Sequence, residues 1–178
     1  MSPVARLPLQ FLAAGAVSGL LCWLGGLIAP EHTLAIRIFP GLVFGLVLYA
    51  IGHHAGYAPP RRRAATATIV VVTSILSWRL AIDVGYMHGG PWPMLAAGAL
   101  GGLVLALGLA WAWQWRRHVT LTVTAIALTG AFGAQCVQWM WNASPGMDER
   151  LQVSLLFVGW QALVMMVIAL TGPPPGEV

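Results

Sequence analysis

The stretch that decides the fold is residues 95–108, LAAGALGGLVLALG, which nearly repeats residues 12–25, LAAGAVSGLLCWLG. Nine of the fourteen aligned positions are identical. Each stretch is uncharged, lacks proline and belongs to a longer apolar segment, which is typical of membrane-spanning helices. The two stretches therefore predict that the bilayer, and not water, surrounds much of this chain.

The composition of the chain also indicates a membrane protein. Of its 178 residues, 58% are hydrophobic and 8% are charged, whereas soluble proteins carry roughly 25% charged residues. The basic residues are all arginine, and Ala, Gly and Leu are abundant, which indicates a GC-rich bacterial genome. We therefore expect a small bacterial integral inner-membrane protein.

Six apolar segments of roughly 20 residues follow one another, and each is long enough to cross about 30 Å of hydrocarbon as a helix. They are residues 7–28, 36–56, 64–84, 94–115, 119–141 and 151–171. The sequence thus predicts an all-α, polytopic membrane protein. Its single six-helix transmembrane domain covers residues 1–172, and a disordered tail follows at residues 173–178.

The arginines predict the orientation of these helices. Those on the side of the two termini are Arg6, Arg61, Arg62, Arg63, Arg116 and Arg117, and those on the other side are Arg37, Arg79 and Arg150. Basic residues near helix ends are retained in the cytoplasm. Both termini are therefore predicted to be cytoplasmic.

With this orientation the first and fourth segments cross the bilayer in opposite directions, which is the geometry of an inverted repeat. The repeat halves would be residues 1–84 and 94–172. Because Ala, Gly and Leu are so common here, the alternative is a coincidence of composition. The sequence leaves both explanations open.

Small residues four positions apart mark the faces on which membrane helices pack, because they allow close approach of two backbones. The glycines in such pairs are Gly15 with Gly19, Gly41 with Gly45, Gly52 with Gly56, and Gly98 with Gly102. We expect them to form contacts inside the bundle. The alternative is a face that binds another membrane subunit or a second copy of the chain.

Tryptophans occur at two depths in the predicted spans. Trp23, Trp78 and Trp160 lie deep, and we expect them to pack between helices or to line a cavity. Those near the span ends are expected to anchor the protein at the membrane interface, namely Trp92, Trp111, Trp113, Trp115, Trp139 and Trp141.

Arg79 and Asp83 are the charged pair closest to the membrane interior. Their spacing of four residues places them on one face of the third helix and predicts an ion pair. Charged groups inside a membrane usually face protein, water or a partner. One interpretation is a ligand site; the other is an arginine that extends toward the outer surface.

Three glutamines are the polar groups nearest the interior of the second half. Gln135 and Gln138 share a face of the fifth helix, and Gln161 lies near the middle of the sixth. Amides in hydrocarbon need hydrogen-bond partners, so we expect these side chains to bond across the two helices. Together with Arg79, Asp83, Trp78 and Trp160, they are our candidate ligand-binding residues.

The remaining basic residues predict a cationic rim on the cytoplasmic side that contacts lipid headgroups. Its members are Arg61, Arg62, Arg63, Arg116 and Arg117. His53, His54 and His118 lie at the same boundary, without the matched depths on facing helices that haem ligation requires. We expect no metal, no cofactor and no nucleic-acid partner.

No catalytic motif appears in the sequence, so no enzyme activity is expected. Two functions are favoured, and a third, a membrane enzyme, would require His53, His54 or His118 to meet a carboxylate or a bound metal in space. The first is a permease, or a membrane subunit of a transport system, for a small solute, whose cavity would hold convergent polar groups. The second is a non-catalytic membrane subunit or assembly scaffold that binds another membrane protein through its glycine faces and cationic rim.

Overall fold

A computed structural model describes residues 3–28, 34–85, 91–116, 118–143, 146 and 149–172. The described chain is helical and contains a short 3-10 turn at Pro60–Arg62. The helices are α1 (Pro3–Ile28), α2 (Leu34–His54), α3 (Arg63–Gly85), α4 (Pro91–Ala112), α5 (Val119–Ala143) and α6 (Glu149–Thr171). The predicted all-α architecture is confirmed, and the predicted tail at 173–178 lies outside the described residues.

Two helices end earlier than the sequence predicts, and both end in the same cap. In α2 the chain turns at Gly56 (φ 85°), and the N–H of Tyr57 donates to the carbonyl of Gly52. In α4 the chain turns at Gln114 (φ 53°), and the N–H of Trp115 donates to the carbonyl of Ala110. This left-handed cap satisfies the final carbonyls of a helix. The helices therefore stop at His54 and Ala112 instead of continuing to Gly56 and Trp115.

The six helices form a closed ring in chain order. Each helix packs on its neighbours in sequence, and α1 closes the ring by packing on α6. Gly15 faces Gln161 and Gly19 faces Phe157, so residue numbers rise along α1 as they fall along α6. Neighbouring helices with short connections are antiparallel in this way. The interior of the ring is the place where a site can form.

The surface of the ring is apolar. Large hydrophobic side chains on it are exposed, among them Val17, Leu46, Leu76, Leu107, Leu128 and Phe132. Four stretches are long and apolar enough to cross a membrane: Arg6–Gly25, Arg63–Gly85, Pro93–Ala112 and Val119–Met140. The apolar stretches of α2 and α6 are shorter, Ile38–His54 and Phe157–Thr171. These features are compatible with a membrane-embedded protein, because lipid solvates such a surface.

We call the end that carries Arg6, Arg61–Arg63 and Arg116 the arginine-rich end. In the half of the bundle next to it, the interior is filled with fully buried apolar side chains, including Leu48, Leu105, Ile126, Met165 and Ile168. Interiors packed in this way leave few voids. The ring is therefore closed by a solid apolar layer on its arginine-rich side.

The prediction that Trp113 and Trp115 anchor the membrane interface is wrong. Both are buried in this apolar layer, where Trp113 stacks on Tyr57 with ring centroids 5.0 Å apart. The reason is the cap at Gln114, which turns the chain back over the bundle. Trp111 and Trp139 are exposed, as expected of interface residues, whereas the side chains of Trp92 and Trp141 lie outside the described residues.

The glycines make close contacts between helices. A Cβ on Gly41 would meet Ile75 of α3, and a Cβ on Gly102 would meet the backbone carbonyl of Ile126 of α5 at 2.7 Å. Gly45 likewise faces α3, and Gly98 faces Gly130 of α5. These four glycines, and Gly15 and Gly19 of the α1–α6 contact, face helices of the same chain, and Gly52 faces Trp113. The prediction for Gly56 is wrong, because Gly56 lies in the cap after α2 and not on a helix face.

The matched glycines of the two sequence stretches face different neighbours. Gly15 and Gly19 pack against α6, whereas their counterparts Gly98 and Gly102 pack against α5. Under a three-helix repeat, α6 is the counterpart of α3 and not of α5. The inverted repeat therefore stays a prediction that these contacts do not support.

Candidate functional site

Polar side chains are buried on the inside of the ring, beyond the apolar layer. We use the name buried polar cluster for five residues that share burial of their polar side-chain atoms in the bundle, Ser18, Cys22, Ser74, Trp78 and Gln161. Among them, Gln161 and Cys22 are bonded to each other, while Ser74 lies against Gly45 of α2 and Trp78 against Phe157 of α6. They come from α1, α3 and α6. Counted from the arginine-rich end, Ser18, Cys22 and Trp78 lie beyond the middle of their helices, and Ser74 and Gln161 lie within one residue of it. The two serines, Cys22 and Gln161 are almost completely inaccessible to solvent.

Two ring contacts show that the cluster lies in the interior. Trp78 of α3 packs on Phe157 of α6 with ring centroids 5.2 Å apart, and Phe44 of α2 stacks on Trp160 of α6 at 6.2 Å. Because α6 adjoins only α5 and α1 in the ring, both contacts cross its interior. These aromatic rings therefore close the bundle at the level of the cluster.

Gln161 and Cys22 join α6 to α1. The Gln161 Nε2 donates to the Cys22 Sγ at 3.4 Å, and the thiol donates to the carbonyl oxygen of Pro40 at 3.6 Å. A thiol is a weak acceptor for an amide. The carboxamide of Gln161 therefore has hydrogen-bonding capacity that a stronger partner could use.

Three polar atoms of the cluster are buried without a hydrogen-bond partner: Ser18 Oγ, Ser74 Oγ and Trp78 Nε1. A buried polar atom without a partner costs about 1–3 kcal/mol. Such groups in a native structure call for an explanation, such as bound water or a ligand. Trp78 offers a donor, and each serine offers both a donor and acceptors.

Ser77, three residues from Ser74, has a different environment. Its hydroxyl donates to the carbonyl oxygen of Gly101 in α4 at 2.6 Å. It is therefore a structural link between two helices, while Ser74, next to Gly45 of α2, remains unpaired. The two serines make a matched pair for experiment.

The predicted ion pair forms on the outside of the ring. Arg79 Nη2 and Asp83 Oδ2 are 3.1 Å apart, and the two side chains are 29% and 47% exposed. At about 100° per residue, Arg79 lies on the same side of α3 as the exposed Val72 and Leu76. The structure therefore does not bring Arg79 and Asp83 to the buried polar cluster.

Gln135 and Gln138 are not brought to Gln161 either. Gln138 donates to Asn142 on its own helix at 3.4 Å, and the buried Gln135 Oε1 has no partner. Gly133 faces Trp160 of α6. Gln135 is two residues further along α5, which is a rotation of about 200°, so its side chain points away from α6. The prediction of amide contacts between α5 and α6 is wrong, because the Gln161 side chain bonds to Cys22 of α1 instead.

Of the candidate ligand-binding residues, the structure gathers Trp78, Trp160 and Gln161 in the interior. The sequence analysis missed Ser18 and Ser74. A serine among apolar residues resembles any other small packing residue, so hydropathy does not single it out. The signal that could have found one of them is the spacing of Ser74 and Trp78, which places both on one helix face.

The cationic rim is exposed at the arginine-rich end. Arg61, Arg62, Arg63 and Arg116 are all accessible to solvent, as is His118, while Arg117 lies outside the described residues. His53 stacks on Tyr49 at 5.8 Å. Among the described residues no three His, Cys, Asp or Glu side chains are grouped as a metal site requires, and Cys22 and Cys136 are free thiols.

No protein-family model matches the chain, and no curated protein and no solved structure matches it either. The geometry of the residues is therefore the basis for any statement about function.

Proposed function

We propose that this chain is a six-span protein of the bacterial inner membrane, with both termini in the cytoplasm, that carries a small uncharged solute. It would act as a permease or as the membrane subunit of a transport system. The observation that carries the proposal is the buried polar cluster, with unpartnered groups at Ser18, Ser74 and Trp78. Bound solute would supply the missing hydrogen bonds.

The position of the cluster supports a solute that enters from the periplasm. The half of the bundle at the arginine-rich end is filled largely with apolar side chains, and its buried Thr66 and Thr122 both donate to backbone carbonyls. Buried ring nitrogens of His53, Trp113 and Trp115 also lack a partner at that end, whereas the five residues of the cluster lie in the middle and beyond. With this end in the cytoplasm, the cluster is nearer the periplasm. The aromatic contacts across the ring then correspond to a closed state, which must open for transport.

The charge of the interior supports an uncharged solute. Arg79 and Asp83 lie on the outer surface, and the five residues of the cluster carry no ionised side chain. An ion brought among them would lose its hydration without a counter-charge, which is far more costly than burying a neutral polar group. Hydrogen-bonding groups between aromatic walls instead suit a small neutral molecule.

Osmotic swelling of liposomes that contain the purified protein tests the proposal. We expect glycerol or urea to enter faster than it enters protein-free liposomes, and the Ser18→Ala/Ser74→Ala variant to slow entry about thirtyfold, because two hydrogen bonds of about 1 kcal/mol are lost. Thr68→Ala is the matched control, since this α3 hydroxyl is exposed on the outside. Swelling equal to that of protein-free liposomes for every neutral solute, with the protein folded, would contradict the proposal.

The second candidate function is a membrane scaffold, and one observation favours it. The Arg79–Asp83 pair lies on the outer surface of the ring, which would face lipid in a membrane, and charged groups there are stabilised by a protein partner. The glycine faces do not support this function, because helices of the same chain occupy them. If Arg79→Leu abolished co-purification of a membrane partner while swelling stayed at the protein-free rate, the scaffold would replace the permease.

A further inference from the structure

An exposed basic surface lies where α3 begins and α4 ends. Arg61, Arg62 and Arg63 follow one another at the start of α3, and Arg116 follows the end of α4. All four arginines are exposed. This surface is separate from the buried polar cluster, so what it binds does not depend on the proposed transport function.

Local geometry places the arginines of α3 against the end of α4. The 3-10 turn after Pro59 is closed by a hydrogen bond from the N–H of Arg62 to the Pro59 carbonyl at 3.0 Å. Arg62 and Arg63 precede Thr66 by four and three residues, so the three share one helix face. The Thr66 hydroxyl donates to the carbonyl oxygen of Ala112 at 3.4 Å. The two arginines therefore lie one turn beyond the point where α3 meets α4.

Trp111 supplies an independent indication of a lipid at this corner. It precedes Ala112 and is 72% exposed, although its neighbours Ala112 and Trp113 are buried in the core. An exposed indole at the end of a membrane helix is favoured at the level of the lipid headgroups. Trp111 thus marks the depth at which a phosphate group would lie beside the arginines.

The charges at this corner are uncompensated among the described residues. The ion pair of Asp83 with Arg79 lies near the far end of α3, and Glu149 begins α6 at that same end of the bundle. Arginine binds phosphate oxygens through paired N–H donors. Four arginines that have no carboxylate partner among the described residues therefore favour a phosphate ligand.

We propose that this corner, formed by Arg61, Arg62, Arg63, Arg116 and Trp111, binds the phosphate of one anionic phospholipid. The guanidinium groups hold the phosphodiester, and Trp111 packs against the lipid at the boundary between headgroup and acyl chain. Because α3 and α4 both contact this lipid, it holds the arginine-rich ends of the two helices together.

Native mass spectrometry of the full chain tests this site. The protein is released from nanodiscs of phosphatidylcholine mixed with phosphatidylglycerol, and we expect one phosphatidylglycerol to be retained. Arg62→Gln/Arg63→Gln should weaken retention by about tenfold or more, since each arginine near a lipid surface contributes on the order of a fivefold gain in affinity. Trp111→Leu should weaken it less. Arg6→Gln is the matched control, because Arg6 is an exposed arginine on α1, which packs on α2 and α6.

Three binding results would overturn the proposal. The first is equal retention of phosphatidylglycerol and phosphatidylcholine, and the second is equal loss of phosphatidylglycerol in the Arg6→Gln control. The third is displacement of the lipid by inorganic phosphate in a parallel titration, which would make the corner a site for free phosphate. Thermal unfolding of each variant in phosphatidylcholine alone shows whether its fold is intact. A fall in unfolding temperature there, as large as the fall seen with phosphatidylglycerol, would also count against the lipid site.

Discussion

At the scale of single residues, the two serines on the inner face of α3 have opposite consequences for stability. The hydroxyl of Ser77 is bonded to the carbonyl of Gly101, while the hydroxyl of Ser74 is buried and unpaired. A buried hydrogen bond contributes about 1 kcal/mol, and an unpaired buried polar group is unfavourable. Ser74 is thus a candidate for a residue kept for binding at the expense of stability.

We predict that Ser77→Ala lowers the free energy of unfolding by about 1 kcal/mol, whereas Ser74→Ala leaves it unchanged or raises it. Thermal or denaturant unfolding of the detergent-solubilised protein in the absence of solute measures both. If Ser74→Ala destabilised the protein as much as Ser77→Ala, the Ser74 hydroxyl would have a hydrogen-bond partner in the protein without solute. The assignment of a solute-binding hydroxyl would then be wrong.

Tyr57 gives the protein a pH dependence in the alkaline range. It follows α2 and is buried against Phe11 and Trp113, and burial raises the pKa of Tyr57 from 10.0 to about 12. In the unfolded chain the phenol loses its proton near its ordinary pKa, while in the folded chain it keeps the proton. The stabilisation from Tyr57 is therefore complete below pH 10 and is lost as the pH rises toward 12.

We predict that the wild-type protein loses about 2–3 kcal/mol more stability than Tyr57→Phe between these two pH values, since one pKa unit corresponds to about 1.4 kcal/mol. Unfolding temperatures of the two proteins across this range provide the comparison. Parallel pH curves would show that Tyr57 ionises as readily in the folded protein as in the unfolded one.

At the scale of helices, close approach of α1 and α6 depends on glycine at two positions. A Cβ on Gly15 would overlap the backbone carbonyl of Gln161, and one on Gly19 would meet the backbone of Val158 at 2.5 Å. Backbone atoms cannot move aside as a flexible side chain can. Gly159, on α6, has open space where its Cβ would be, and it is the matched control.

We predict that Gly15→Ala costs about 1–3 kcal/mol of stability through overpacking, while Gly159→Ala is neutral or stabilising because alanine favours the helix. Unfolding in detergent distinguishes the two variants. Equal effects at both positions would contradict the packing of α1 on α6.

The helices themselves could be predicted from the sequence, because runs of apolar residues without charge determine where a chain can cross a membrane. The ion pair between Arg79 and Asp83 followed from their spacing on one helix. The side of each helix that faces the interior could not be predicted in the same way. In a soluble helix polar residues mark the outer face, but here both faces are apolar.

The interior site was predicted only in part for the same reason. Trp78, Trp160 and Gln161 were recognised as deep and polar or aromatic, while Ser18 and Ser74 have no hydropathy signal. The burial of Trp113 and Trp115 depends on the left-handed turn at Gln114. Glycine is the usual residue in that conformation and glutamine is not, so the sequence does not predict the turn.

At the scale of the whole molecule, the protein is a ring of six helices, with an apolar layer at the arginine-rich end and the buried polar cluster beyond that layer. Closure of the ring by α1 and α6 requires that α2 and α6, whose apolar stretches are shorter, cross the membrane with the other four. If α2 and α6 did not cross, Arg61 would lie on the opposite side of the membrane from the N-terminus. The number of spans and the orientation can therefore be tested together.

The most direct measurement is the accessibility of single cysteines to a membrane-impermeant maleimide in intact cells, in a variant that lacks Cys22 and Cys136. Ser2→Cys, Arg61→Cys and Gly146→Cys are the three positions. We predict that Gly146→Cys is labelled from outside the cell and that the other two cysteines are labelled only after the membrane is permeabilised. Labelling of Arg61→Cys from outside, with Gly146→Cys protected, would contradict the six-span ring.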